Sequence, residues 1–184
     1  MVDFNVSNFN NQYTGDYARQ NLFLVDIDKI TAIGGVNNGG GMFVKAGSLP
    51  EATVGMLEVP YQNRKLKIPG DRTFNDWTAT VIQDEGYELR NQLLDWQKDI
   101  TGFTEFTSFH TPGSAHRKIT IQPYNRNGYP ATTQQANVYG WPSAIGAVEL
   151  SWESEAVQEY TVTFQISWDD GGIFSEPKVN FLGG

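Results

Sequence analysis

Strict alternation of apolar and polar residues between positions 159 and 169 constrains the fold of this chain more than any other feature of its sequence. In EYTVTFQISWD, the even-numbered positions from 160 to 168 are aromatic or branched aliphatic residues, and the odd-numbered positions up to 167 are Glu, Thr, Gln or Ser. Successive side chains of a β-strand point to opposite faces, so this pattern predicts a strand that is buried on one face and polar on the other. Similar but shorter runs predict strands at 22–28, 42–46, 54–59, 64–68, 77–83, 117–124 and 146–154.

One segment has a helical period instead. Within residues 84–102, DEGYELRNQLLDWQKDITG, large apolar side chains recur at positions 89, 93, 96 and 100, which places them on one stripe of an α-helix. Asp84 is expected to cap the N-terminus of this helix, and Gly102 suits its C-terminal end. The chain is therefore expected to be mainly β with one α-helix packed on a mostly antiparallel sheet, in a single domain over residues 1–184.

The charge and composition exclude several classes of function. The chain has 21 acidic and 13 basic residues, a formal net charge of -8, which argues against general affinity for phosphate backbones. It contains no cysteine, which excludes disulfides and zinc–thiolate sites. No apolar run approaches the ~20 residues of a membrane span, and residues 1–12 lack the pattern of an export signal. We therefore expect a soluble protein that is not exported by a standard signal and has no membrane anchor.

The residue types used in catalysis and metal binding do not form a recognisable site in the sequence. The glycine-rich stretch at 33–41 leads into a strand, and Lys45 is followed by Ala46 rather than by the Ser or Thr of a phosphate-binding loop. His110 and His116 share a loop but have no third ligand in register, so they are interpreted as solvent-exposed. No carboxylate pair is isolated in an apolar pocket, and there is neither a Gly-x-Ser-x-Gly elbow nor a thiol nucleophile. The sequence thus predicts no catalytic residues, no metal site and no cofactor.

A cluster of cations in residues 63–83, NRKLKIPGDRTFNDWTATVIQ, stands out in an otherwise acidic chain. Lys65 and Lys67 fall on the same face of a predicted strand, opposite Leu66 and Ile68. Two interpretations are open at this point: the cations form a solvated strand face, or they lie on an edge that meets acids of a neighbouring copy. Long exposed edges need protection, and closure of a ring of subunits provides it.

Several blocks of the sequence, in the same order, resemble the tail tube proteins of contractile-tailed bacteriophages. They are GDYARQNLFLVDI at 15–27, NRKLKIPGDRTFNDWTATVIQDE at 63–85, LLDWQ at 93–97, YGWPSAIGAVELSWES at 139–154 and the strand VQEYTVTFQISW that ends at 168. The resemblance implies a β-sandwich or barrel-like core with one flanking helix, related to the tubes of type VI secretion. It also implies that six copies form a ring, that their sheets join into an inner barrel, and that stacked rings form the tube through which the genome leaves the virion.

The resemblance and the residue patterns together suggest three groups of side chains. Apolar burial and strand pairing are expected to hold subunits together, while charges set their register. The candidates for subunit interfaces are Met56, Leu57, Arg64, Lys65, Lys67, Asp71 and Arg72. The candidates for lining the lumen are Glu159, Thr161, Thr163 and Gln165. A predominantly acidic wall is expected there, since it would repel phosphates. The core candidates are Trp77, Leu89, Leu93, Trp96, Trp152, Phe164 and Trp168.

The family also implies partners and a location. The partners are further copies of the chain, the tail sheath, the baseplate and the tail terminator, while the tape measure protein and DNA pass through the lumen without specific binding. The protein would assemble in the host cytoplasm and reside in the virion tail as a structural component without enzymatic activity. A glycine-rich insertion near 33–42 and a C-terminal extension at 169–184 depart from the family pattern. The alternatives are a tube or baseplate-initiator protein of a phage-derived contractile injection system and, from another class, a carbohydrate-binding β-sandwich.

Overall fold

Strands dominate the described part of the chain, and a long helix separates the first five from the last three. The computed structural model describes residues 18–30, 43–102, 115–131, 135–153 and 155–170. Its elements are β1 (Phe23–Ile27), β2 (Val44–Gly47), β3 (Ala52–Tyr61), β4 (Arg64–Phe74), β5 (Trp77–Ile82), α1 (Glu88–Thr101), β6 (Arg117–Pro123), β7 (Ala136–Ile145) and β8 (Glu159–Asp169). The glycine-rich stretch at 33–41, His110 and most of the C-terminal extension lie outside the described residues.

Six of these strands form an antiparallel sheet in the order β1-β6-β7-β8-β5-β2, and β3 pairs with β4 in a separate two-stranded hairpin. The six-stranded sheet wraps so far round that its two edge strands, β1 and β2, line the same cleft. The result is a nearly closed, barrel-like sheet accompanied by one helix. The predicted fold class, mainly β with one α-helix, is confirmed.

The core fills the inside of the curved sheet and is completed by α1. Strand β8 points its even-numbered residues from 160 to 166 inward, where each is at most 4 % exposed. The helix contributes the stripe of Leu89, Leu93 and Trp96, and the Trp96 ring lies 6.3 Å from the Phe164 ring. Of the core candidates, Trp77, Leu89, Leu93, Trp96 and Phe164 are buried, each at most 2 % exposed. The apolar stripe of α1 and the apolar face of β8 therefore pack together in one cluster.

The two ends of α1 are terminated by different devices. The helix begins at Glu88 after Tyr87, which adopts a left-handed conformation with φ of 55°. Asp84 is therefore not the N-cap residue that the sequence predicts, yet its Oδ2 accepts a hydrogen bond of 2.8 Å from the Glu88 N–H. This carboxylate satisfies one of the free donors of the first turn. At the other end Gly102, with φ of 61°, donates its N–H to the Lys98 carbonyl at 2.9 Å, as expected of an αL cap.

Strand β7 is missing from the strands that the sequence pattern predicts. Gly140 and Pro142 interrupt its alternation, and both residue types are unfavourable inside strands. The structure accommodates them with two register shifts against β8, one between Tyr139 and Gly140 and one between Pro142 and Ala144. These bulges allow the strand to lie inside the sheet, between β6 and β8.

The prediction of a strand at 146–154 is wrong. The chain leaves the sheet after β7, where the Gly146 N–H donates to the Thr161 carbonyl at 2.7 Å. Beyond that point the segment finds no strand partner among the described residues, because β8 is already flanked on both sides by β7 and β5. Trp152 is consequently fully exposed, at 106 %, and the prediction that it belongs to the core is also wrong.

The core prediction also fails for Trp168, which is 39 % exposed. Gly140 pairs with Ile166 whereas the preceding Tyr139 pairs with Trp168, so Ser167 is an extra residue in β8. A bulge of this kind turns the residues beyond it, and Trp168 lies with Tyr139 on the outer face of the sheet. The two rings stack there with centroids 5.2 Å apart and an interplanar angle of 16°.

Candidate assembly surfaces

The hairpin of β3 and β4 projects from the barrel with little support from the rest of the chain. Gln62 and Asn63 join the strands, and both have positive φ, 44° and 62°, as the central residues of a type I′ turn require. Every residue of β3 except Ala52 is exposed, and so is every residue of β4 except Gly70 and Phe74. Because an isolated hairpin is at best marginally stable in water, this element is a candidate docking surface.

One face of the hairpin is apolar. The register pairs Leu57 with Ile68 and Val59 with Leu66, and Tyr61 continues the same side of β3. These five residues are called the hairpin face, and each of them is between 41 and 66 % exposed. A contiguous apolar patch on a protruding element is typical of a protein–protein contact.

The base of the hairpin is fastened to β8 by Arg72. Its guanidinium donates two hydrogen bonds to the Asp169 carboxylate, at 2.8 and 3.2 Å, and lies 4.9 Å from the centre of the Phe74 ring. A bidentate pair fixes orientation as well as distance. Across the strands, the hydroxyls of Thr53 and Thr73 are 2.8 Å apart. Arg72, predicted at a subunit interface, is thus paired within its own chain, and its place in a subunit contact stays a prediction.

The other predicted cations lie nearer the tip. The Lys65 Nζ is 2.9 Å from Glu58 Oε2 on the facing strand, and an exposed pair of this kind is worth about 0–1 kcal/mol. Among the described residues, Arg64 and Lys67 have no ion-pair partner. Their charges therefore remain exposed, Arg64 on the side of the hairpin face and Lys67 on the opposite side, and their place in a subunit contact stays a prediction.

Met56 and Asp71 lie next to a bulge in the middle of the hairpin. The strands approach closely there, since a Cβ on Gly70 would lie 3.2 Å from the Gly55 carbonyl carbon. Met56 is 54 % exposed and lies on the side of the charged Glu58, opposite the hairpin face. Met56 and Leu57, although adjacent in sequence, thus point in opposite directions.

Only Leu57 of the hairpin face is among the interface candidates predicted from the sequence. The other four residues are Val59, Tyr61, Leu66 and Ile68. The signal that would find them is the two-residue turn, because turn length fixes the register and hence which side chains share a face.

The outer side of the barrel carries hydroxyls and amides along its two adjacent strands β8 and β5. The residues called the polar face are Glu159, Thr161, Thr163 and Gln165 of β8 with Thr78 and Thr80 of β5. The hydroxyls of Thr78 and Thr163 lie 3.3 Å apart across the pair of strands. All four lumen candidates therefore share the side away from the core, and their exposure to a lumen stays a prediction.

Charges on this outer side are balanced rather than acidic. Lys45 Nζ lies 2.6 Å from Glu159 Oε1, and Lys118 Nζ lies 4.0 Å from Asp170 Oδ2. Asp26 of β1 is an exposed acid on the same side. The described part of the sheet thus presents a nearly neutral wall, which differs from the acidic wall expected from the net charge. A neutral wall likewise lacks the clustered cations that hold phosphates.

The interpretation of His116 as a solvent-exposed loop residue is wrong. Its ring lies 4.6 Å from the Trp168 ring and, edge-on, 4.9 Å from the Trp141 ring. The Nε2 atom is 2.8 Å from Ser167 Oγ. With Tyr139 these rings form an aromatic cluster where β7 begins and β8 ends, so His116 packs half-buried on the outer side of the sheet.

The described residues do not form a recognisable catalytic or metal-binding site. Within the described ranges, no group of three or more His, Cys, Asp or Glu is placed to hold a metal ion. Burial raises the pKa of Tyr160 to about 12, so its hydroxyl stays protonated near neutral pH. Within the same ranges, no helix is both long and apolar enough to span a membrane.

The chain can be placed in a family by comparison with known proteins. Residues 18–168 match the phage tail tube protein family. Over 160 residues the chain is 32 % identical to tail tube protein gp19 of Enterobacteria phage T4, covering 84 % of this chain and 92 % of that protein. The match to gp19 of Enterobacteria phage T6 has the same identity and coverage. The tail tube protein of Serratia phage KSP90 is 27 % identical over 113 residues, 61 % of this chain and 62 % of that protein. The chain belongs to the phage tail tube protein family.

Solved structures share the fold at lower sequence identity. The sheath–tube complex of an extracellular contractile injection system in its extended state contains a chain with a TM-score of 0.58 and 15 % identity, covering 91 % of this chain and 97 % of that one. The sheath/tube terminator of the same kind of system gives 0.62 and 14 %, covering 85 % and 97 %. At this identity the likeness establishes the fold and nothing more.

Family membership settles the general class of function. The chain is a tail tube protein of the kind found in contractile phages and related injection systems, and it is a structural component of the virion tail. Its relatives are structural proteins, so the expectation that it is not an enzyme is confirmed. Membership of this family therefore excludes the alternative of a carbohydrate-binding β-sandwich.

Proposed function

We propose that copies of this chain form six-membered rings, that these rings stack into the inner tube of a contractile tail, and that the tube conducts the genome during ejection. The observation that carries this proposal is the hairpin face on a chain of the tail tube family. Five large apolar side chains project into solvent on an element that the rest of the chain scarcely supports.

The hairpin face supplies part of the energy that an assembly needs. Complete burial of a fully exposed apolar side chain stabilises by about 1.5–3 kcal/mol, and these five are on average about half exposed, so burying the rest of them contributes roughly 4–8 kcal/mol in total. Association of two proteins costs on the order of 4–15 kcal/mol, so this burial offsets the lower part of that cost and further contacts are needed for the rest. The exposed charges of Arg64, on the side of this face, and of Lys67, on the opposite side of the hairpin, would then set register and partner choice.

The barrel supplies a second kind of contact. In the described sheet, β1 pairs only with β6 and β2 pairs only with β5, so each has a free edge. Free N–H and C=O groups at an edge accept strands from another copy. Neighbouring copies joined in this way would form a continuous wall around a lumen.

In a ring of copies joined at these strand edges, the polar face would point toward the lumen. Thr161, Thr163 and Gln165 would line a wall of neutral hydroxyl and amide groups. Phosphates pass such a wall without specific binding, because nothing on it releases counterions from DNA.

The outer surface of the tube would contact the sheath, and its ends would contact the baseplate and the terminator. A tube of a phage-derived contractile injection system, with the same ring and a different cargo, is the second candidate.

Replacement of Leu66 with Asp should abolish tube formation without unfolding the chain. The side chain is 58 % exposed, so the dilute monomer should retain its free energy of unfolding within about 0.5 kcal/mol. Burying the new carboxylate in a subunit contact is costly, so electron microscopy of the concentrated variant should show no rods.

The matched control is Asn91→Asp, which adds the same charge at an exposed position of α1. This variant should form rods like those of the unsubstituted chain. Rods of normal length and abundance from Leu66→Asp would show that the hairpin face is not a subunit contact.

A further inference from the structure

Residues 146–153, GAVELSWE, are called the acidic segment, and they combine three properties that do not fit an ordinary loop. Apolar and polar residues alternate as in a strand, yet the segment has no ladder partner among the described residues. Leu150 is 76 % exposed and Trp152 is 106 % exposed. Glu149 and Glu153 give it negative charge. Tryptophan is highly buried on average and is enriched at the energetic centres of interfaces, so Trp152 points to a missing partner.

The cleft between β1 and β2 has the complementary properties. Its volume is about 1670 Å³, which exceeds the roughly 300–1,000 Å³ of small-molecule pockets and suits a peptide segment. Its floor includes the partly exposed apolar side chains of Leu22, Phe23 and Leu49. Its charged lining residues are Arg19, Lys45 and Arg126, and no Asp or Glu lines its described part. Lys45 also pairs with Glu159 on the outer side of the barrel.

The edges of β1 and β2 that have no strand partner in the described sheet lie on the two sides of this cleft. A segment with strand alternation that enters the cleft can pair its backbone with one of these edges and place alternate side chains on the apolar floor. The acidic segment has that alternation, and its glutamates are opposite in sign to the Arg19, Lys45 and Arg126 side chains of the cleft lining.

We infer that the acidic segment of one copy docks in the cleft of a neighbouring copy, with Trp152 on the apolar floor and Glu149 and Glu153 near the cations of the rim. This inference rests on the proposed function, because it identifies the segment through which adjacent sheets join. The cleft of the same chain is not the receptor, since Trp152 is fully exposed in the single chain. The hairpin tip is a poor occupant, because Arg64 and Lys67 carry the same sign of charge as the cleft.

Cysteine cross-linking tests the contact directly, because the chain contains no cysteine of its own. Ser151 lies in the acidic segment and Ser48 lines the cleft, and Ser→Cys changes little in size at either position. A chain with Ser151→Cys and a size-tagged chain with Ser48→Cys are mixed, polymerised and oxidised. The control pair is Ser151→Cys with Ser143→Cys, because Ser143 lies on the outer side of the sheet. The yield of the mixed disulfide dimer should be about ten times higher with Ser48→Cys than with this control. That ratio corresponds to about 1.4 kcal/mol in apparent contact free energy.

The substitution Trp152→Ala provides a second readout. It should raise the protein concentration needed for rod formation by about 30-fold, equivalent to about 2 kcal/mol, while the melting temperature of the dilute monomer stays unchanged. Rods at an unchanged concentration, or cross-linking no better than the Ser143→Cys control, overturn this inference and leave the proposed function standing.

Two other outcomes also overturn it. Residues 1–17 precede Ala18, which lines the cleft, so a chain with Asn5→Cys tests whether that segment is the occupant instead. Preferential capture of Ser48→Cys by Asn5→Cys would assign the cleft to residues 1–17. Absence of any rings or rods from the unsubstituted chain would overturn both this inference and the proposed function.

Discussion

Replacing Trp77 with Ala is expected to destabilise the folded chain by about 3–5 kcal/mol. The side chain is 1 % exposed, and its ring lies 5.4 Å from that of Phe164 on the neighbouring strand. Its indole N–H also donates to the Ser48 carbonyl at 2.6 Å, next to the edge strand β2. Truncation therefore creates a cavity in the core and releases the segment that follows β2. Urea unfolding of the dilute protein, followed by circular dichroism, measures the loss as a lower midpoint at constant slope.

The control for this prediction is Trp152→Ala, which removes the same side chain from a fully exposed position. Its free energy of unfolding should change by no more than about 0.5 kcal/mol. Equal losses in the two variants, or an unchanged midpoint for Trp77→Ala, would contradict the core described here.

Replacing Gly140 with Ala is expected to cost stability at the upper end of the about 1–3 kcal/mol typical of overpacking. A Cβ at this position would clash with the Gln165 carbonyl oxygen, which belongs to the backbone of β8. Backbone in the middle of a sheet cannot move aside as a flexible side chain can. The strain falls at the bulge that holds β7 against β8, so we expect a lower melting temperature by calorimetry.

Gly86→Ala is the matched control for Gly140→Ala. There the nearest atom to the new Cβ is the flexible Glu88 Cγ at 3.3 Å, in an exposed turn before α1. This variant should keep its stability within about 0.5 kcal/mol. If Gly140→Ala melted at the same temperature as Gly86→Ala, the close approach of β7 and β8 would be contradicted.

Local periodicity predicted those elements whose pattern and packing coincide. The two faces of β8 follow from its alternation as far as Ile166, and the buried stripe of α1 follows from its spacing of apolar residues. In both cases the residue's own position in the element decides which way it points. Trp77, Leu89, Leu93, Trp96 and Phe164 could therefore be identified as core from sequence.

The failures occur where a partner strand decides the outcome. Trp168 continues the alternation of β8, but a bulge opposite Tyr139 turns it outward. The acidic segment alternates as well as any strand does, yet the neighbours of β8 are already in place and leave it unpaired. Gly140 and Pro142 conceal β7 because the bulges that tolerate them arise only in the paired sheet. Register and pairing are properties of two strands, so one strand's sequence does not determine them.

In the candidate assembly surfaces too, local patterns could be predicted from the sequence and features that depend on strand pairing could not. The sequence identified the polar side of β8 and the charged cluster around Lys65 and Lys67, both of which are local patterns. It missed most of the hairpin face, because that face exists only once Leu57 and Val59 are paired with Ile68 and Leu66. It did not find the pairing of Arg72 with Asp169 within the chain, which depends on how the hairpin lies against β8.

Helical reconstruction of rods grown from the unsubstituted chain by electron cryomicroscopy is the most direct test that sheets of adjacent copies join into a channel with a polar wall. We expect six-fold rings in which strands continue from one copy to the next, the hairpin face is buried, and Thr161, Thr163 and Gln165 face the channel. A channel lined by α1 or by clustered lysine and arginine, or rings whose sheets do not touch, would contradict this account.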